Sequence, residues 1–336
     1  MPGERYSRQV RFAPIGEDGQ RRLSASSAVL VGCGALGTVA AELLARTGVG
    51  KLTIIDRDYI ELSNLQRQFL FDEQDAEDAL PKAIAAARRL RKINSTIEVR
   101  GIVDDLRPRN ATELLSGAGV ILDATDNFET RFLINDYSVS AGIPWVYGAA
   151  VGSYGITMLV VPGTTACFRC LYPERPSGAQ PTCETAGVLG PVTAIIASLQ
   201  SSAAIQILSG NIEATRRTIT TLDVWNGPVR ETAMPAQDPD CPCCGLRKFD
   251  WLEGQHDSPV SLCGRNAVQI HATGAVDLVE LAGRLKQEGA VRSNEFALRF
   301  QREPYEMTVF PDGRAIIKGT IDVGVARSLY ARWIGS

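Results

Sequence analysis

The run Ala28-Val29-Leu30-Val31, followed at once by Gly32-Cys33-Gly34-Ala35-Leu36-Gly37, constrains this chain more than any other feature. A short apolar run that breaks into Gly-x-Gly-x-x-Gly and then turns helical is the fingerprint of a strand–turn–helix phosphate site. The glycines let backbone approach phosphate. The helix N-terminus behind them offers free N–H groups and a partial positive charge. The helical pattern here runs from Thr38 to Thr47 and closes at Gly48. A second apolar run, Leu52 to Ile55, ends at Asp56, where a carboxylate can hold ribose hydroxyls. These pieces make a βαβ unit with nucleotide-binding candidates at Gly32, Gly34, Ala35, Gly37 and Asp56.

The alternation continues downstream. Residues 82–94 read as a helix, 97–99 as a strand, 110–116 as a helix, and Val120 to Leu122 as a strand ending at Asp123. Gly155 to Val161 reads as a further strand. Strands alternating with helices imply an α/β fold: a Rossmann-like, mainly parallel sheet with helices on both faces. Pro191 to Leu208 is the clearest helix, with proline at its first turn and Gly210 just past its end. Its apolar residues fill most faces, which predicts a buried helix. No run of 18 apolar residues is found, so no membrane span is expected.

Eight cysteines and only two histidines, His256 and His271, narrow the chemistry. Cys167-x-x-Cys170 and Cys241-x-x-Cys244 are chelating pairs, and four thiolates close a structural Zn²⁺ site with no open position. Cys243, in Cys-Pro-Cys-Cys, is an alternative ligand. Cys33 reads as a small packing residue and Cys263 as a buried strand residue. The N-terminus lacks a signal-peptide core, so the expected location is cytoplasmic, where thiols favour metal or redox roles over disulfides. A net charge of −3 gives no footprint for nucleic acid.

A nicotinamide site and an ATP site share the glycine fingerprint. The residues after Asp56 separate them. Asp58, Asn64, Arg67 and Gln68 follow closely, and Lys82 opens the next helix. An arginine fork and a lysine suit a polyphosphate better than a nicotinamide. An NAD-dependent oxidoreductase would also need a catalytic His or a Tyr-x-x-x-Lys, and none stands out. A non-catalytic nucleotide-binding scaffold is the third reading.

Arg5-Tyr6-Ser7-Arg8-Gln9, the glycine turn, Ser63-Asn64-Leu65-Gln66-Arg67-Gln68, Pro81-Lys82, Ala124-Thr125-Asp126-Asn127 and the paired cysteines together resemble the ThiF/MoeB adenylyltransferases, bacterial relatives of ubiquitin-activating enzymes. The resemblance spans about residues 5–248. It implies ATP-dependent adenylation of the C-terminal glycine of a small ubiquitin-like sulfur-carrier protein ending in Gly-Gly. It implies that Asp56 holds the ribose, that Ser63 belongs to the nucleotide site, that Asn64, Arg67 and Lys82 contact phosphates, and that Asp126 binds Mg²⁺ with Asn127 beside it. It further implies a homodimer in which Arg8 reaches the other subunit's ATP site. A sulfurtransferase or a cysteine desulfurase is implied as a further partner. In some members a cysteine placed like Cys183 bonds to the carrier; in others it is dispensable. The carrier's pathway stays open among molybdenum cofactor, thiamine, thiolated tRNA and cysteine.

Residues 1–250 are thus expected to form the adenylation domain with its cysteine knuckle. Residues 255–336 restart as a small α+β domain, with strands at 260–270, 295–301, 305–310 and 314–318 and helices at 276–288 and 322–333. Two readings of it stand side by side: a partner-binding domain, or a dimer-stabilising or inert one.

Overall fold

The structure, a computed structural model, describes residues 4–176, 185–255, 261–262, 267–270 and 274–335. Cys183, Cys263 and both histidines lie outside the described residues. An arm of α1 (Ser7–Val10) and α2 (Gly16–Ala25) leads into β1 (Ser27–Val31), α3 (Ala35–Thr47) and β2 (Lys51–Ile55). Gly48 ends α3 in the left-handed conformation at φ +86°, as a helix-closing glycine should. Next come α4 (Glu73–Glu77), α5 (Lys82–Ile93), β3 (Glu98–Ile102), α6 (Pro108–Leu115), β4 (Val120–Asp123) and α7 (Phe128–Ala141). Then follow β5 (Trp145–Val151), β6 (Tyr154–Val160), α8 (Phe168–Leu171), α9 (Gly190–Leu208), β7 (Thr218–Asp223) and β8 (Arg230–Ala233).

These strands form one sheet in the order β3-β2-β1-β4-β5-β6-β7-β8. The first five pair in parallel; β6, β7 and β8 add on antiparallel. Both faces of β1 are covered. Ala28 and Leu30 enter a core with α3, α5 and α9, while Val29 and Val31 enter a second core with α6, α7 and the cysteine segment. That explains why β1 reads as a continuous apolar run. In the second core Phe132 stacks on Trp251 at 4.9 Å and meets Phe168 edge-on at 5.3 Å.

The sequence pattern assigns no element to α7 or β5. Nine residues of α7 are buried, among them Arg131, Asn135, Asp136 and Ser138. Buried polar residues erase the stripe that periodicity detects.

Helix α9 bears on two of the sequence readings. By length and composition it is apolar enough to cross a membrane, although Thr193, Ser198, Gln200, Ser201, Ser202 and Gln206 interrupt any continuous apolar run. It packs instead against α3, β5 and β6. It is also only partly buried, because it lies on the sheet by one face and turns Ile195, Ser198 and Ser202 outward. On the inner face Gln200 donates to the carbonyls of Asp123 (2.7 Å) and Val146 (3.1 Å).

A second sheet, β11-β12-β13-β14-β10-β9, is antiparallel throughout: β9 (Ser261–Leu262), β10 (Ala267–Ile270), β11 (Ala290–Ser293), β12 (Leu298–Arg302), β13 (Tyr305–Val309) and β14 (Ala315–Lys318). Strand β11 is an addition to the expected set. Helices α10 (Leu278–Leu285) and α11 (Val323–Trp333) cover one face with Leu298, Phe300, Met307, Val309 and Ile317 beneath them.

Gln200→Leu strips two buried carbonyls at the ends of β4 and β5 of their donor. A loss of about 2 to 3 kcal/mol is expected from the urea midpoint.

Candidate active site

The glycine turn leaves β1 at the carboxyl edge of the parallel strands, the edge where open α/β sheets bind ligands. Gly32 sits at φ +92°, and a Cβ there would come within 2.5 Å of the Ala124 carbonyl. At Gly37 a Cβ would come within 2.2 Å of the Gly32 carbonyl. Gly37 therefore serves the packing of helix against turn, whereas Gly32, Gly34 and Ala35 line a cavity of about 540 Å³. Cys33 is fully buried beneath the turn, as a packing residue should be.

Asp56 accepts hydrogen bonds from the backbone N–H of Cys33 and of Asp58, both at 2.6 Å. Burial pushes its pKa up, while the nearby Lys82 charge and these two N–H groups oppose that rise. Lys82 is itself buried, and its Nζ lies 3.3 Å from Asp58 Oδ2. Its helix begins where expected, behind Pro81.

The phosphate candidates sit on a tight turn. Asn64 Oδ1 accepts from the Glu61 N–H at 3.1 Å, closing the 3₁₀ segment Leu62–Asn64. Arg67 Nη1 donates to the Ser63 carbonyl at 2.9 Å. Asn64, Arg67 and Gln68 face the cavity. Ser63 is exposed and lies off the cavity wall, its hydroxyl donating to Glu61 at 3.4 Å. Gln68 is buried, and its Oε1 has no hydrogen-bond partner among the described residues. A buried acceptor on a cavity wall is a group a ligand can satisfy.

Across the cavity, Asp126 is exposed at the wall. Asn127, not Asp126, caps α7, with its Oδ1 accepting from the Thr130 N–H at 2.8 Å. Behind this turn lies a buried network that nothing in the sequence pattern marks. Asp123 Oδ1 accepts from the Thr125 N–H and hydroxyl. Arg131 Nε lies 3.2 Å from Asp123 Oδ2, and its Nη2 donates to the Thr125 carbonyl at 2.7 Å. The guanidinium stacks over Phe128 and Tyr147, at 5.3 and 5.1 Å. Arg131 therefore fixes the loop that presents Asp126. The only sequence clue is its place one turn into the helix after Asn127.

Arg8 is exposed on α1 and is not part of this cavity wall. The four cysteines converge as their spacing predicts. The Sγ atoms of Cys167, Cys170, Cys241 and Cys244 all lie within 4.8 Å of one another, a set that can hold a metal ion. Cys170 is pushed up to about 12 by its hydrogen bond with Cys167 and by burial. Such mutual crowding is what a divalent cation relieves. Cys243 is not one of the four but lies beside them, hydrogen-bonded with Cys167 and receiving the Asn135 amide at 3.2 Å.

A glycine turn at a strand end, an acid on the next strand and cations on the following loop define a nucleotide-binding α/β protein. Residues 6–243 match the ThiF family, and the chain belongs to it. It is 46% identical to the sulfur carrier protein ThiS adenylyltransferase of Bacillus subtilis, over 98% of this chain and 99% of that one. It is 38% identical to the SAMP-activating enzyme E1 of Haloferax volcanii, over 74% of this chain and 92% of that one. Among solved structures, E. coli MccB crystallised with ATP superposes with a TM-score of 0.62 at 26% identity, covering 72% and 74% of the two chains.

Arg131→Leu leaves Asp123 buried without its counter-charge, and a loss of about 3 to 5 kcal/mol is expected. Adding Asp123→Asn should recover most of it in the same urea titration.

Proposed function

We propose that this protein is an enzyme that uses ATP to adenylate the C-terminal carboxylate of a small ubiquitin-like sulfur-carrier protein ending in Gly-Gly, releasing pyrophosphate. The observation that carries this reading is the convergence of the glycine turn, Asp56, Arg67, Lys82 and Asp126 on one cavity. Its membership of the ThiF family and its likeness to named carrier adenylyltransferases support the same reading.

The chemistry asks little of acid–base catalysis. A terminal carboxylate has a pKa of about 3.5 and is already the nucleophile at neutral pH. Bringing it to the α-phosphate joins two anions, so the barrier is electrostatic and positional. Arg67 and Lys82 offset phosphate charge. Asp56 orients the ribose, with Asp58 holding Lys82 in place. Asp126 is the hard oxygen ligand for Mg²⁺, which supplies charge neutralisation on the phosphates when bound. The exposed Arg8 fits a homodimer in which it serves the partner's site. The four cysteines hold a structural Zn²⁺. We read residues 1–250 as the adenylation domain and 255–336 as a separate small α+β domain, in a cytoplasmic enzyme that hands its carrier to a sulfurtransferase or cysteine desulfurase.

Pyrophosphate exchange into ATP should appear only when a Gly-Gly carrier is present. Arg67→Ala or Asp126→Ala should lower it by roughly 100-fold or more. Carrier-dependent exchange that survives both substitutions would remove these residues from the mechanism; no exchange with any carrier favours a non-catalytic role.

Purified protein should carry about one zinc per chain, bound tetrahedrally. Cys170→Ser should lose the metal and melt roughly 10 °C lower. Zinc retained at full occupancy in that variant would disprove the ligand set.

A further inference from the structure

Side chains alternate across a strand, so a sheet covered by helices on one face must present its other residues to something else. In the C-terminal sheet that other face meets the nucleotide loops. Ile316 packs with Phe310 and Ala267 against Tyr59 and Val103. Tyr59 and Phe310 lie with ring centroids 5.8 Å apart. Gln269 donates to Asp105 Oδ2 at 3.0 Å and accepts from Arg57 at 3.1 Å. Arg299 and Lys318, from β12 and β14, line the same cavity as Asp56 and Lys82.

Both cations converge on one carboxylate. Glu61 Oε1 lies 2.8 Å from Arg299 Nη2 and 2.6 Å from Lys318 Nζ. Glu306 backs both cations from β13, at 3.0 and 3.4 Å. Glu61 in turn closes the turn at 62–64, the turn from which Asn64 and Arg67 reach the cavity. Burial alone would raise the Glu61 pKa, but the Lys318 hydrogen bond and the charges of Lys318, Arg299 and Lys82 hold it below the usual range. It therefore stays ionised well below neutrality.

We propose that the C-terminal sheet is a wall of the nucleotide site, and that Arg299 and Lys318 are positioning residues that latch Glu61 and thereby preset Asn64 and Arg67 for ATP. The inference rests on the ATP reading above and goes beyond it: it gives residues 267–318 a role in nucleotide binding rather than in partner binding alone. The Bacillus relative aligns over 98% of this chain, and so across the sheet as well.

The test is ATP binding by full-length protein with Mg²⁺, measured by calorimetry without carrier. Glu61→Gln and the double variant Arg299→Gln/Lys318→Gln should each weaken ATP by roughly tenfold, and combining them should add little further, because both act through one contact. Lys318→Arg should bind like the parent. Arg302→Gln is the control; it removes an ion pair with Glu288 at the far end of β12. It should leave ATP affinity unchanged. A second readout is hydrogen exchange over residues 61–68 in ATP-free protein, which should quicken in Lys318→Gln while the core strands exchange at the parent's rate. If the parent binds ATP and the latch variants bind it equally well, with unchanged exchange, the latch is wrong and the adenylation reading stands. An equal loss in Arg302→Gln would also overturn it, as general destabilisation. A folded parent that binds no ATP overturns both.

Discussion

The Asp56 carboxylate is the tie on which the site depends. One oxygen takes the N–H of Cys33 from the glycine turn, and the other takes the N–H of Asp58 from the next loop. Two loops that leave different strands are thereby held at a fixed spacing. Everything that faces the cavity from residues 56–68 inherits its position from that spacing. The same carboxylate is offered to the ligand, so its burial serves two ends. It stiffens the turn, and in the ribose role proposed above it would also keep water from weakening that hydrogen bond.

Around this tie the charges are already matched. Lys82 sits on Asp58, Arg57 on Asp105, Arg131 on Asp123, and Arg299 with Lys318 on Glu61. A polyphosphate of the kind proposed above would enter a site of largely paired charges rather than an open basic patch, in keeping with a chain whose net charge is −3. Its binding has to exchange partners. That favours ligands bringing their own divalent cation, since the cation satisfies carboxylates that the phosphates leave behind.

How much of this the sequence disclosed follows from how local each feature is. The glycine turn, the acid at the end of β2, the start of α5 at Lys82 and the cysteine pairs are short-range chemistry, and each falls where its spacing places it. Asn64, Arg67 and Gln68 line the cavity, while Ser63 lies off its wall and Gly37 packs against the Gly32 carbonyl. Helix α7 was hidden because its buried polar residues have partners far away in sequence. Arg131 is the sharpest case: an arginine in a helix reads as solvated surface until Asp123, Phe128 and Tyr147 are seen around it.

The C-terminal sheet makes the same point at larger scale. Along β12 to β14, apolar residues alternate with Arg299, Thr308 and Lys318, a pattern identical to that of a sheet with one wet face. Periodicity finds the strands and cannot say what the polar face meets. What it meets is Glu61, and Glu61 matters because its own backbone closes the turn beneath Arg67. A charge pair some 240 to 260 residues apart in sequence thus bears on a three-residue turn. Ion pairs of this kind add little when they stand alone on a surface. Half-buried, shared by two cations and joined to a hydrogen-bonded turn, they fix geometry, and geometry is the larger part of what this chemistry needs.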